Sequence, residues 1–477
     1  MDSSTSSATA ETAPGAAPGP HPILSESAKR HLIWLIAFAF FMQMLDSTIV
    51  NTAAPSIARA LAVNPLNVRS AIVAYVLSLA VFIPISAWCA DRFGTRRVFA
   101  AAIGIFTLGS LACGLASTLS ALTLARVVQG FGGALMMPVG RLALVRSFER
   151  HEFVNAMSVA TIPGLIGPAI GPLLGGLFST YLSWRWIFFV NIPVGIAGLW
   201  LTRRLMPDYR AERASALDVS GFLLLALALG GLSGMLEQIA EGEWLTGLAT
   251  GSVAGLLLVA YLRHAARVAA PIIDLRLLRI PSFSVAFTSG FATRLGVGGV
   301  YFLLSLLFQV GFGLSPIVAG LLQLPQALAM MATRFFVGTI IRQQGYRRVL
   351  LVNTLLSGVL VMLFGTFTIA TPLWVICLQG FAYGTIMSLQ YSAMNTLGFL
   401  DLSTAQASMG SSITSTVQNL SMSLGIAFAS VLMATFLQGD HGSAAYVGAF
   451  RATMVVLGLV TLLSTTLFLR LPRAAAN

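Results

Sequence analysis

Charge is what this sequence lacks. Of its 477 residues only 9% are Asp, Glu, Lys or Arg, against about a quarter in soluble domains, while 57% are hydrophobic. The mean hydropathy is +0.85. A soluble chain of this length has no core large enough to hide that much apolar surface, so the composition implies a polytopic membrane protein. Acid is scarcer than base: 16 Asp and Glu stand against 28 Lys and Arg, a net charge of +12. In a soluble protein that excess would point to nucleic acid. Here the bases form short clusters between apolar runs (DRFGTRR, RRLMPDYRAERA, RHAARVAAPIIDLRLLR, RQQGYRR), the pattern of topogenic charge beside a bilayer. No nucleic-acid partner is expected. Cysteine is equally sparse: Cys89, Cys113 and Cys377 have neither disulfide nor metal-ligand spacing and read as packing residues. The histidines, His21, His31, His151, His264 and His441, lie in the tail, at span ends or in loops. With no Ser/His/Asp set, metal cluster or phosphate loop, the sequence disfavours an enzyme, and no cofactor is expected beyond the proton motive force. A channel is disfavoured too, since there is no filter-like repeat or carboxylate ring.

What the chain does have is long apolar runs. At about 20 residues per span, fourteen helices fall near 31–54, 69–90, 97–117, 120–145, 154–180, 184–203, 218–238, 246–263, 282–311, 315–340, 347–369, 372–397, 405–437 and 447–470, with an interfacial turn considered inside 405–437. Residues 1–30 read as a disordered tail rich in Ser, Ala, Thr, Pro and Gly, and 474–477 as a short second tail. The first span follows without a cleavage site and doubles as the targeting signal. Alternate loops carry the arginines, at Arg92 to Arg97, Arg146 and Arg150, Arg203 to Arg213, Arg263 to Arg279, Arg342 to Arg348, and Arg470 and Arg473. Glu237, Glu241, Glu243 and Asp440 lie opposite, with Arg59 and Arg69 as exceptions. Both termini are therefore expected on the cytoplasmic side.

Two segments repeat at an offset of roughly 250 residues: DRFGTRRV at 91–98 with RQQGYRRV at 342–349, and QGFGGAL at 129–135 with QGFAYGT at 379–385. The shared offset divides the chain into an N-terminal six-helix bundle (31–205), two inserted linker helices (206–270) and a C-terminal six-helix bundle (271–473). Internal repeats of this kind underlie transporters that rock about a central site. The segment PIIDLRLLRIPSF at 271–283 reads as an amphipathic lead-in to the ninth helix.

Charged residues inside the apolar runs are costly and mark functional paths. Asp46 is the one acid deep within a span, against Arg126, Arg141, Arg294 and Arg334. Asp46 precedes the outer end of its helix by about eight residues, roughly 12 Å, and Arg126 follows the outer start of the fourth by about six, roughly 9 Å. The two share a depth at which a proton-coupled pair or a static ion pair can form. Arg294 sits near mid-membrane, suited either to an anion or to backbone carbonyls. Arg141 and Arg334 lie nearer the cytoplasmic face and are expected to snorkel there. Gly94 permits a tight turn beside Asp91, Arg92, Arg96 and Arg97. Gly167, Gly171 and Gly175 recur every four residues beside Gly164, Pro168, Pro172 and Gly176, a stripe that lets another helix approach closely. Polar candidates to line a central cavity with Arg294 are Gln43, Asn51, Tyr75, Gln129, Gln309, Gln323, Gln326, Gln379, Gln390, Tyr391 and Asn395.

Four segments in order, LDSTIVNTAAP at 45–55, AWCADRFGTRRV at 87–98, LARVVQGFGGALMMPVGR at 124–141 and PGLIGPAIGPLLGG at 163–176, supported by WRWIFFVNIPVG at 184–195, resemble the major facilitator superfamily. Within it they are similar to the fourteen-helix drug/proton antiporters of the bacterial multidrug-transporter-D type. The resemblance implies an all-α fold of two six-helix halves plus two extra helices. It also implies a proton-coupled antiporter that exports small molecules by alternating access and acts as a monomer in the bacterial inner membrane. It gives 87–98 as a cytoplasmic latch, 163–176 as the antiporter motif, and Arg126 as the proton-coupling arginine. Arg342 stands where Asp91 would in the second copy, and Ile376 opposite Arg126, so coupling is expected in the N-terminal half. A lone acid among bases tilts the expected substrate towards neutral or anionic amphipathic compounds, organic acids or their metal chelates. A proton-coupled organic-anion importer of the same fold is the alternative.

Overall fold

A computed structural model describes residues 25–211, 216–268, 270–439 and 442–471. The chain's ends, Arg213, Asp440, His441 and Arg473 lie outside the described residues. Among these residues the fold is all-helical, with 14 helices long and apolar enough to cross a membrane. We number them α1 (Glu26–Ala60), α2 (Pro65–Phe93), α3 (Thr95–Leu115), α4 (Leu119–Ser147), α5 (His151–Tyr181), α6 (Trp186–Leu205), α7 (Val219–Ala240), α8 (Trp244–Ala265), α9 (Pro281–Gly311), α10 (Pro316–Thr333), α11 (Tyr346–Phe364), α12 (Leu373–Phe399), α13 (Met409–Leu437) and α14 (Ser443–Phe468). Helix is the obligatory form here, because a strand edge or loop in hydrocarbon leaves backbone groups unsatisfied. Short polar caps set the ends. Ser25 accepts from the Ala28 amide, Thr118 from Ala121, and Asp218 from Gly221.

The termini of alternate helices define two faces, one carrying the arginine-rich loops (the basic face) and one carrying Glu237, Glu241 and Glu243 (the acidic face). Helices α1 to α6 pack on one another, as do α9 to α14, while α7 and α8 form a hairpin whose α7 rests on α2 and α13. The two largest of four buried apolar clusters follow: one runs through α1, α2, α9 and α14 towards the acidic face, and one joins α1 to α4 towards the basic face.

Four boundaries depart from the sequence reading. The tail ends sooner, since α1 is helical from Glu26. The tenth span ends at Thr333; a turn through Phe336 separates it from a short helix, Val337–Gln344. Hydropathy continues across that break, so the apolar run hid it. No turn interrupts 405–437, where one helix runs from Thr404 to Leu437 behind a Ser403/Gln406 capping box. The ninth span is instead jointed: Gly298 and Gly299 press against Gly425 and Ala429, and a π-helical turn spans Leu307–Gly311. Such π turns are frequent at functional sites.

Candidate proton-coupling site

Asp46 and Arg126 meet in the interior of the N-terminal six helices. Both side chains are withdrawn from solvent, and Arg126 Nη1 lies 2.5 Å from Asp46 Oδ2. The pair is the centre of a network drawn from five helices. Arg126 Nη1 also donates to Gln129 Oε1 at 2.7 Å, one turn along α4. Gln129 Nε2 donates to Asp46 Oδ1 at 2.8 Å and to Ser110 Oγ of α3 at 2.6 Å. Asn191 Nδ2 of α6 reaches Asp46 Oδ1 at 3.1 Å and Ser110 Oγ at 3.3 Å. The Arg126 Nε donates to the Ala71 carbonyl of α2 at 3.3 Å, and the guanidinium carbon stands 3.9 Å from the centre of the Tyr75 ring. A buried ion pair persists only when its remaining lone pairs and protons are satisfied. Here both carboxylate oxygens accept hydrogen bonds, whereas Arg126 Nη2 is buried without a hydrogen-bond partner. That free donor gives the arginine an alternative partner to seek if the carboxylate is neutralised.

The glycine stripe lies directly behind this acid. A Cβ at Gly167 would stand 2.7 Å from the Leu45 amide nitrogen, at Gly171 2.2 Å from Thr48 Oγ1, and at Gly175 2.4 Å from the Ile49 carbonyl, so the absence of side chains lets α5 touch the α1 backbone on both sides of Asp46. Gly164 is looser, with Phe40 Cβ at 3.5 Å. The neighbouring face of α5 meets the other half: Gly176 against the Pro316 carbonyl and Pro172 against Gly320, each 2.4 Å from a glycine's missing Cβ. Pro168 continues the helix as an interior proline.

At the basic face the turn after α2 is closed by Gly94 at φ +94°, where a Cβ would stand 2.2 Å from Asp208 Oδ1. Asp91 pairs with Arg146 of α4 at 2.8 Å. Arg96 donates through Nε to the Met206 carbonyl at 2.5 Å, and Thr95 exchanges hydrogen bonds with Pro207 and Tyr209, so the segment after α6 clips onto the turn. Arg92 and Arg97 are exposed there. Gly345, φ +74°, makes the equivalent turn in the second half, but Arg342 has no ion pair among the described residues.

The remaining candidates separate. Tyr75 and Gln129 belong to the Asp46 network rather than to a central cavity. Gln379 and Gln390 tie α12 to α11, through the Leu360 carbonyl and Thr354 Oγ1. Gln323 donates to Ser305 at 2.9 Å. Gln309, on the π turn, crosses between the halves to the Thr52 carbonyl at 2.8 Å. Gln43 Oε1, Asn51 Oδ1 and Gln326 Nε2 are buried without hydrogen-bond partners. Arg294 is 7% exposed, faces the Tyr391 ring at 5.1 Å, and lines a small cavity of about 20 Å³ with Asn395, Gln418, Met394 and Phe287. It makes neither hydrogen bond nor ion pair among the described residues. Arg334 is exposed near the basic face, as expected of a snorkelling base. Arg141 does not snorkel. It donates to Ser411 Oγ of α13 and so links the halves.

Sequence reasoning missed Ser110 and Asn191, short polar residues without periodic signal. It also missed the burial of Arg69, 4% exposed and bonded to the Leu66 carbonyl at 3.2 Å. The signal for Asn191 was present in FVNIP, an amide within an apolar motif.

Comparison with known proteins decides the family. Residues 36–426 match the Major Facilitator Superfamily. The chain belongs to it. It is a membrane transporter. It is 42% identical over 449 residues to the putative multidrug resistance protein MdtD of Salmonella paratyphi A and of Salmonella typhimurium, across 93% of this chain and 95% of each relative. Its fold is similar to solved structures of a bacterial homologue of the human lysosomal transporter Spinster (TM-score 0.66, 16% identity, 94% of this chain and 98% of that one) and of the POT family transporter PepTSo (0.67, 14%, 92% and 97%). At such identities these two share the fold alone with this chain.

Proposed function

We propose that this transporter exports drugs and other small amphipathic molecules in exchange for protons, with Asp46 as the proton carrier and Arg126 as its electrostatic switch. One observation carries the reading: Asp46 is the sole acid among the fully buried described residues, and it is bonded to an arginine that holds a spare donor. A proton on Asp46 cancels its charge, and the Arg126 guanidinium loses its counter-ion. The guanidinium then shifts towards other acceptors, and α1, pressed on the α5 glycines, carries that shift to the contact of α5 with α10. The relatives' name as multidrug resistance proteins supports drugs as cargo.

The Arg294 cavity is the proposed point of substrate recognition. Its unpaired guanidinium suits carboxylate or phenolate oxygens, and Phe287, Met394 and Tyr391 suit apolar rings. This favours neutral or anionic amphipathic cargo. The protein is proposed to lie in the bacterial inner membrane as a monomer, both termini and the basic face cytoplasmic, with 31–205 and 271–473 as the two rocking halves and 206–270 as the insert. The turn at 91–97 acts as the cytoplasmic latch.

The test is transport in proteoliposomes with a pH-sensitive dye. Export by exchange predicts that adding substrate moves protons opposite to it; protons moving with substrate would instead make the protein an importer by symport. Asp46→Asn should abolish the proton movement, and unchanged coupling in that variant would remove Asp46 from the mechanism. Arg294→Gln should weaken transport of anionic compounds while sparing cations.

A further inference from the structure

We propose that the outer flank of α3 and α6 binds one anionic phospholipid, with its phosphate between Arg97 and Arg203 and one acyl chain along the groove beneath them. The groove has a volume of about 510 Å³. Gly104, Ile105 and Leu108 of α3 and Leu199 of α6 wall it, and Arg96, Arg97 and Arg203 stand at its end on the basic face. Lining positions 97, 100, 101, 104, 105 and 108 recur at helical spacing on one face of α3. The rise from Arg97 to Leu108 is roughly 16 Å at 1.5 Å per residue, about half of a ~30 Å hydrocarbon core, and so the depth of one leaflet.

The protein leaves this space unfilled. Ala100 and Ala101 are too small to cover it, and a Cβ added at Gly104 would meet nothing within 4 Å. In a bilayer a slot of this shape takes an acyl chain. The charges above it are uncommitted as well. Arg97 and Arg203 are exposed and make neither hydrogen bond nor ion pair among the described residues. The nearby acid, Asp208, is engaged by Arg210 at 3.0 Å and by the Arg96 amide at 3.3 Å. Arg96 differs from the other two, its Nε being held by the Met206 carbonyl. Two free guanidinium groups match phosphate oxygens bidentately, and basic pockets between helices are recognised sites for anionic head groups. The level is right too. Trp200, 53% exposed with the Arg204 guanidinium carbon 4.3 Å from its ring centre, is an aromatic anchor of the kind found at the headgroup depth.

The test is native mass spectrometry of the full chain released from nanodiscs containing equal phosphatidylglycerol and phosphatidylcholine. Wild type should retain one phosphatidylglycerol with a preference of at least about fivefold. Arg97→Gln/Arg203→Gln should fall to the phosphatidylcholine level. Gly104→Phe, which fills the slot and leaves every arginine in place, should lose retention equally, and it decides the matter if the double variant does not fold. Arg263→Gln/Arg267→Gln, exposed bases elsewhere on the same face, should behave as wild type. Equal retention of the two lipids by wild type overturns the proposal, as does undiminished phosphatidylglycerol on the folded double variant or on Gly104→Phe. Displacement of the lipid by millimolar inorganic phosphate would assign the arginines to a free anion and also overturn it.

Discussion

Three donors converge on the buried Asp46 carboxylate, from Arg126, Gln129 and Asn191, and that arrangement predicts how its variants behave. Asp46→Asn leaves Arg126 buried without a counter-ion, and Arg126→Ala leaves the carboxylate in the same position. Losing one partner of a buried pair costs about 3–5 kcal/mol, whereas replacing both is often close to neutral. The single variants should therefore melt well below wild type in detergent, and Asp46→Asn/Arg126→Gln should recover much of the loss while remaining inactive in transport. A double variant that transports would show that the pair is only structural. Asn191→Ala removes a 3.1 Å donor to the carboxylate without touching the ion pair, and it should slow proton-coupled transport more than it lowers the melting temperature. Ser110 and Asn191 also mark the limit of sequence reading at this scale. Asp46 and Arg126 announced themselves as charges in hydrocarbon, whereas a serine and an asparagine carry far less cost there, and which group each one serves shows only when five helices are assembled.

Helices in this protein are positioned by what is missing from their surfaces. The α5 stripe could be read from spacing alone, because glycine every four residues has one mechanical meaning, a backbone approached by another backbone. Which helix approaches was not legible. One face meets α1 and the next meets α10, so the same stretch, 163–176, serves both the acid and the contact between halves. Gly171→Val would drive a methyl group into Thr48, 2.2 Å from the missing Cβ, and should both lower the melting temperature and stop transport. Full transport by that variant would show that α1 and α5 need not stay in register. The α7–α8 hairpin is held differently, through Asp218 at the start of α7, whose carboxylate lies 2.7 Å from His264 Nε2 at the end of α8. Burial works to raise the Asp218 pKa, but the Gly221 amide and His264 outweigh it and hold the acid below its ordinary value. A depressed acid confers stability that is whole above the ordinary carboxylate range and is lost as pH falls through its lowered value. Wild type should therefore lose thermal stability on acidification through that range more steeply than Asp218→Asn, and parallel pH profiles would remove Asp218 from that role.

Across the whole molecule, the halves touch at both faces: Thr52 with Gln309 and Thr180 with the Ile317 amide near the acidic face, Arg141 with Ser411 near the basic one. If the halves rock, these contacts alternate. Cysteines introduced at Thr180 and Ile317, joined by oxidation, should arrest transport, and reduction should restore it; undiminished transport by the cross-linked protein would show that this contact never opens. Sequence repeats exposed the two-half organisation through QGF at 129–131 and 379–381, but they also showed divergence. Gln129 serves the carboxylate, while Gln379 only clips α12 to α11, because Ile376 replaces the arginine one turn away.

The sequence by itself determined the solvent, the number of spans and the one acid set deep in an apolar run, while its motifs carried the family resemblance. The first three follow from one-dimensional physics: apolar length against bilayer thickness, and the cost of charge in hydrocarbon. Only the tertiary structure decided which polar groups surround Asp46, that Arg141 bridges the halves, that Arg294 stands unpaired in a cavity, and that a slot lies open beside Gly104. Those facts depend on the rotation of each helix about its axis. A nearly uniform apolar surface leaves that rotation unmarked in the sequence, and helix-to-helix packing sets it.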